Sequence, residues 1–66
     1  MTFAERLKKL RLERGLSQKE VANMVNVAQP TYWKYEHGSV PYKNTQIQLA
    51  KVFEMTVDEL INGKGE

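Results

Sequence analysis

A chain of 66 residues with a formal charge of +2, 41% apolar and 27% charged residues has the balance of one small globular domain rather than of a disordered tail. It has no cysteine, which excludes disulfides and cysteine-based zinc sites, and a single histidine, His37, which excludes any site built on two histidines. Apolar runs are at most two residues long, so the sequence holds neither a membrane-spanning helix nor a signal-peptide core, and the cytoplasm is the expected location.

The first predicted helix covers residues 2–13. Thr2-x-x-Glu5 is a capping box: the hydroxyl takes the N3 amide and the carboxylate returns to the cap amide. Phe3, Leu7 and Leu10 share one face, with Arg6, Lys9 and Glu13 elsewhere. Gly15 follows where a left-handed residue ends a helix. Ser17-x-x-Glu20 opens a second helix, 17–25, which groups Val21, Ala22 and Val25. The third, 28–37, turns Tyr32 and Tyr35 inward and stops before Gly38. The fourth, 45–53, starts at Asn44 or at Thr45 with Gln48 behind it, and buries Ile47, Ala50 and Phe53 with Leu49 alongside. Thr56-x-x-Glu59 opens the fifth, 57–62, with Val57, Leu60 and Ile61 on one side and Gly63 at its end. Nothing alternates as a strand does. The expected class is therefore all-α: five short helices, each too short to stand alone, packed as a compact bundle in one domain over residues 1–66.

The informative spacing lies between the second and third helices. Ala22 allows a close helix crossing. Asn26, four residues on, tolerates the positive φ of a three-residue turn, and Val27 can seal that turn against the core. With Tyr32 and Tyr35 as the buried side of the next helix, this is the recipe of a helix-turn-helix.

At this level the sequence resembles the Cro/phage-repressor, or XRE, helix-turn-helix family. The resemblance runs from LKKLRLERGLSQKEVA (residues 7–22) through KYEHG (34–38) and Pro41 to LAKVFEMTVDELING (49–63). It departs from the family at Asn26 and Glu54, where glycine is usual, and at Ala28, where a Ser or Thr cap is usual. Tyr32 replaces a small aliphatic residue, and Lys43 and Gln46 stand where apolar residues are common.

The resemblance implies a transcriptional regulator, repressor-like, that places the third helix in the DNA major groove. Its base-facing residues would be Gln29, Pro30, Trp33 and Lys34. Gln29 can pair with adenine N6 and N7. Lys34 can reach guanine or a phosphate, and Pro30 can face a thymine methyl. Trp33 packs on a sugar or methyl, or instead folds over Lys34 or a neighbouring helix. The family implies that Gln18 clamps a phosphate and braces Gln29. Lys19, Ser39, Lys43 and Asn44 are further phosphate candidates, each readable as an ordinary solvated residue, and Thr31 either reaches a phosphate or back-bonds to its helix. The family also pairs an Arg of the first helix with the Glu of Y-E-x-G, here Arg11 and Glu36, as a partly buried bidentate ion pair. His37 suits a helix C-terminus.

The charge pattern fits a polyanion-facing surface and equally an ordinary solvated surface that happens to be asymmetric. Residues 1–51 carry nine Lys or Arg against four Glu, and residues 52–66 one Lys against four acids. No nucleophile–base pair or phosphate loop argues for an enzyme, and no cofactor, metal, membrane or small-molecule ligand is implied. The expected partner is double-stranded DNA. A weak two-fold homodimer on a palindromic operator would draw on Val40, Tyr42, Met55, Val57 and Ile61. The same module also serves in antitoxins, in restriction–modification controllers and at the DNA-binding end of longer regulators. A helical protein-interaction module, using exposed Trp33, Val40 and Tyr42, is a reading of a different class.

Overall fold

Hydroxyl and carboxylate side chains set three of the helix starts. In a computed structural model, which describes residues 1–63, the chain forms α1 (Phe3–Glu13), α2 (Gln18–Met24), α3 (Gln29–Tyr35), α4 (Lys43–Val52) and α5 (Val57–Asn62). No strand occurs among the described residues. Lys64 and Glu66, two of the charges counted in the C-terminal balance, lie outside them. Thr2, Ser17 and Thr56 each accept the amide three residues on, and Glu5, Glu20 and Glu59 return to the cap amides at 2.8–2.9 Å. The three capping boxes thus form as their spacing predicts.

Three helix ends share one device. The residue after the cap is left-handed, with φ 65° at Gly15, 57° at Asn26 and 57° at Glu54. The next amide then reaches back over the turn: Leu16 to the Arg11 carbonyl at 3.2 Å, Val27 to Ala22 at 3.0 Å, Met55 to Ala50 at 2.9 Å. Leu16, Val27 and Met55 are apolar and pack on the core, the contact that accompanies this motif. α3 closes similarly, with Gly38 at φ 114° and the Ser39 amide on the Lys34 carbonyl at 2.9 Å.

The start of α4 differs from expectation. Neither Asn44 nor Thr45 caps it. The helix begins two residues earlier, at Lys43, behind a Tyr42 cap that makes no side-chain bond. Buried Pro41 anchors the entering chain, and Gln46 Nε2 donates to the Pro41 carbonyl at 2.9 Å. That bond ties the fourth helical residue to the one before the cap, as a hydrophobic staple does elsewhere. α3 is likewise shorter than predicted, and its cap, Ala28, offers no side-chain bond.

The core takes residues from every helix: Leu7, Val21, Ala22, Val25, Tyr32, Tyr35, Leu49, Ala50, Phe53 and Leu60. α2 packs on α3, and α5 on both α1 and α4. The Tyr32 and Tyr35 rings meet edge to face, 6.1 Å apart at 81°. Ile47, expected inside, is 37% exposed. The buried arc of α4 centres on Leu49, Ala50 and Phe53, and residue 47 lies about a third of a turn from its middle.

Arg6, expected on the outer side of α1, is buried. Its Nη1 donates to the Leu60 and Ile61 carbonyls at 3.2 and 3.1 Å, and its Nη2 to the Met1 carbonyl at 3.3 Å. It thereby occupies carbonyls that the end of α5 leaves without helical partners. Arg14 closes α4 in the same way, donating to the Phe53 carbonyl at 2.8 Å with its guanidinium 5.2 Å from the centre of the Phe53 ring. No described helix is long and apolar enough to cross a membrane.

Glu54 is the strained residue of this frame. A non-glycine side chain in the left-handed region costs ~1–2 kcal/mol, of which glycine's extra freedom in the unfolded chain takes part back. Glu54→Gly is therefore expected to stabilise the fold by about 1 kcal/mol, raising the melting temperature by roughly 4–8 °C. Thermal melts followed by circular dichroism check this, and an unchanged or lower melting temperature contradicts it.

Candidate nucleic-acid interface

α3 has seven residues and two unlike sides. Tyr32 and Tyr35 are buried, while Gln29, Pro30, Trp33 and Lys34 are exposed. Pro30 stands in the first turn, where a missing amide leaves no helical bond unmade. Gln18, the first residue of α2, joins these four to line an open groove of about 340 Å³. The structure thus brings together the four residues that sequence reasoning assigned to bases and one that it assigned to phosphate. Lys19, Thr31, Ser39, Lys43 and Asn44 are exposed and do not line this groove. Lys43 and Asn44 form the first turn of α4.

Trp33 neither folds over Lys34 nor leans on another helix. It stacks on His37, one turn along the same chain, with centroids 3.6 Å apart and planes 10° from parallel. His37 Nδ1 lies 2.7 Å from the Trp33 carbonyl. A carbonyl only accepts, so Nδ1 carries the proton and donates. This i,i+4 stack was not foreseen, although the spacing is legible in the sequence. It sets a half-exposed indole against the groove.

Behind the groove lies a polar knot. Arg11 Nε donates to Glu36 Oε2 at 2.6 Å, and Nη2 donates to Oε1 at 3.2 Å. Arg11 Nη1 donates to the Leu16 carbonyl at 2.9 Å, and Gln18 Nε2 to Glu36 Oε1 at 3.2 Å. Arg11 and Glu36 are both buried. Burial pushes the Glu36 carboxyl upward, but the Arg11 guanidinium, then the Tyr32 hydroxyl and the Gln18 amide, outweigh it and hold it below the ordinary carboxylate range. The Tyr32 hydroxyl sits within the influence of this pair without a hydrogen bond of standard geometry, and burial raises its own pKa strongly.

The residues considered for self-association fall in two settings. Val40 and Tyr42, in the α3–α4 loop, are 64% and 89% exposed. Met55, Val57 and Ile61 are half-buried, and the first two pack on the core. Ile47 adds an exposed apolar side chain to α4.

Residues 4–66 match a family model described as a helix-turn-helix domain. The cryptic phage CTXphi transcriptional repressor RstR of Vibrio cholerae is 39% identical over 61 residues, spanning 91% of this chain and 55% of its own. The uncharacterised HTH-type transcriptional regulator YqaE of Bacillus subtilis is 33% identical over 63 residues, spanning 94% and 54%. The chain spans about half the length of the curated relatives it matches. A crystal structure of the P22 c2 repressor in complex with a synthetic operator superposes with a TM-score of 0.91, covering 97% of this chain and 98% of that one at 22% identity, a likeness of fold. A transcriptional regulator from Listeria innocua superposes with a TM-score of 0.87 at 35% identity, covering 98% and 62%.

Removing one partner of the buried pair leaves the other charged and unpaired. Glu36→Ala is expected to destabilise the fold by about 3–5 kcal/mol, enough to unfold most of a domain this small. Circular dichroism at 25 °C checks this, and a mutant as folded as the parent contradicts it. The pH sign follows from the lowered carboxyl. Its stabilisation is complete above the ordinary value of 4.5 and is lost as the pH falls through the lower folded-state value. Melting temperature should therefore drop on acidification below about pH 4.5, and the drop should be shallower in Glu36→Gln.

Proposed function

Because the chain belongs to the helix-turn-helix domain family, matched across residues 4–66, we propose that it is a sequence-specific, repressor-like transcriptional regulator of the Cro/phage-repressor type that binds double-stranded DNA in the cytoplasm. The observation that carries this reading is the shared groove of Gln18, Gln29, Pro30, Trp33 and Lys34. In it, the exposed Gln29 amide and Lys34 sit beside an apolar wall on a helix of major-groove width, with the Gln18 amide adjoining from α2. The repressors named among the relatives and the operator-bound P22 c2 repressor support it.

α3 enters the major groove by its N-terminal end. Gln29, its first residue, pairs with adenine N6 and N7, and Pro30 and Trp33 offer apolar contact to a thymine methyl or sugar. Lys34 reaches guanine or a phosphate. Gln18 touches the backbone at the start of α2, and Lys19, Thr31, Ser39, Lys43 and Asn44 add sequence-independent phosphate contacts. Arg6, Arg11 and Arg14 are engaged with carbonyls and Glu36, so attraction to DNA falls mainly on the lysines.

One α3 reads only a few base pairs. A second copy supplies the rest, on half-sites about 34 Å apart. Val40 and Tyr42 are the exposed apolar pair that supports such a contact. The small patch implies a weak dimer completed on DNA.

Two measurements test this reading. Gln29→Ala should weaken binding to a selected duplex by about 1–3 kcal/mol while leaving affinity for random duplex nearly unchanged. Equal losses on both would remove Gln29 from the base readers. Sedimentation on a palindromic site should give two chains per site at saturation, whereas one chain per site with no preference for two-fold sequences would sink the dimer.

A further inference from the structure

Trp33 is the largest apolar side chain of the groove, and its two ring faces have different surroundings. His37, four residues on and just past the end of α3, covers one of them, with centroids 3.6 Å apart and planes 10° from parallel. The covering ring is itself tied: its Nδ1–H donates to the Trp33 carbonyl at 2.7 Å. His37 thus bonds to the backbone of the residue on whose side chain it stacks. On the other side, Pro30 lies about one turn toward the start of α3 and lines the same groove. Helical side chains lean toward the N-terminus of their helix, so His37 comes over Trp33 from behind while Trp33 leans toward Pro30. Trp33 is 47% exposed, and with one face covered, the exposed part of its ring is the edge and the other face. A different χ1 well would separate the two rings, and a stacked aromatic pair favours the stacked arrangement by about fivefold.

We propose that His37 is a positioning residue for thymine recognition: by covering one face of Trp33 it turns the free surface of the indole toward the base edges, where it meets a thymine methyl group. The inference rests on the reading of this groove as a DNA-binding surface. Among the base edges of a major groove, thymine alone carries a methyl group. Pro30 and Trp33 are the apolar residues of the groove, and a methyl group is the feature of a base edge that such a pair recognises. Trp33 shares the groove with Gln29 and Lys34, the side chains read as facing bases, which favours a base methyl over a backbone sugar as its contact. His37 touches no base in this arrangement and acts through Trp33.

Replacing thymine by uracil, one position at a time, tests this in a duplex selected from a random pool by the parent protein. The replacement removes only the methyl group. At the position that Trp33 reads, it should weaken parent binding by about fourfold. Trp33→Ala should erase that difference. His37→Ala should reduce it to about twofold or less, with the fold kept, because the His37 side chain is exposed. His37→Phe, which keeps a ring but not the hydrogen bond, should restore the difference, and His37→Asn, which has no ring, should not. A full difference retained in Trp33→Ala or His37→Ala, or one that His37→Phe fails to restore, would overturn the proposal. So would a parent chain that selects a sequence yet is indifferent to every thymine methyl, the result expected of a sugar contact. A parent chain that selects no sequence overturns the DNA-binding reading and this inference with it.

The stack is measurable without DNA. Trp33 is the chain's one tryptophan, so the indole fluorescence reports on this ring alone. Acrylamide should quench it more strongly in His37→Ala than in the parent, and His37→Phe should match the parent. Equal quenching in the parent and in His37→Ala would overturn the arrangement.

Discussion

The Arg11–Glu36 ion pair is the contact through which the rest of the structure is set. Arg11 comes from α1, its third bond closes the turn before α2, and Glu36 ends α3 and receives Gln18 from the start of α2. Four segments are therefore held at one point, and the angle at which α3 stands on α1 follows from it. Such a pair is weak evidence for stability, since desolvating two charges offsets much of their attraction and a well-packed apolar pair is often as stable. What it supplies is direction. Arginine and carboxylate meet edge to edge in a plane, so the pair fixes an orientation that a greasy contact leaves soft.

Arg6 of α1 and its cap residue Arg14 solve a problem that short helices create. A helix leaves its last four carbonyls without partners whatever its length. In helices of six to eleven residues those ends are a large share of the backbone. Arg6 covers the end of α5 and Arg14 the end of α4, with left-handed turns closing α1, α2 and α4 besides. Arg6, Arg11 and Arg14 thus act as fasteners, while Lys8 and Lys9 stay exposed on the same segment. Net charge over a segment is a poor guide to where its field points once the guanidiniums are turned inward.

What the sequence reveals here is what is local. A capping box is complete within four residues, and all three read from the sequence form. Gly15, Asn26 and Val27 behave as their chemistry suggests within one turn. The buried Tyr32 and Tyr35 and the exposed Gln29, Pro30, Trp33 and Lys34 follow from helical periodicity alone. The misses are of two kinds, one with a distant partner and the others with a partner about one turn away whose chemistry the sequence pattern does not flag, as with the Trp33–His37 stack. Nothing near Arg6 announces that α5 ends beside it, 54 residues away. Glu54 carries no local signal for a left-handed turn. It takes that conformation because Met55 has to reach the core and the Ala50 carbonyl at once. Gln46 looks like a polar intruder until Pro41 is seen to need its amide.

The groove combines stiff and flexible parts, and the division has a thermodynamic meaning. Gln29 and Lys34 are long exposed side chains that lose rotamer freedom when they bind, at about 0.5–1.5 kcal/mol each. Trp33 is already stacked, 3.6 Å from His37. Gln18 is already bonded to Glu36. Two of the five lining residues, Gln18 and Trp33, therefore already have a side-chain partner. On the DNA-binding reading proposed above, such a surface discriminates by fit where its side chains are held and adapts at Lys34, which can reach either a base edge or a phosphate. Of the two held positions only Gln18 traces to a buried contact, with Glu36, whereas the Trp33–His37 stack lies at the surface.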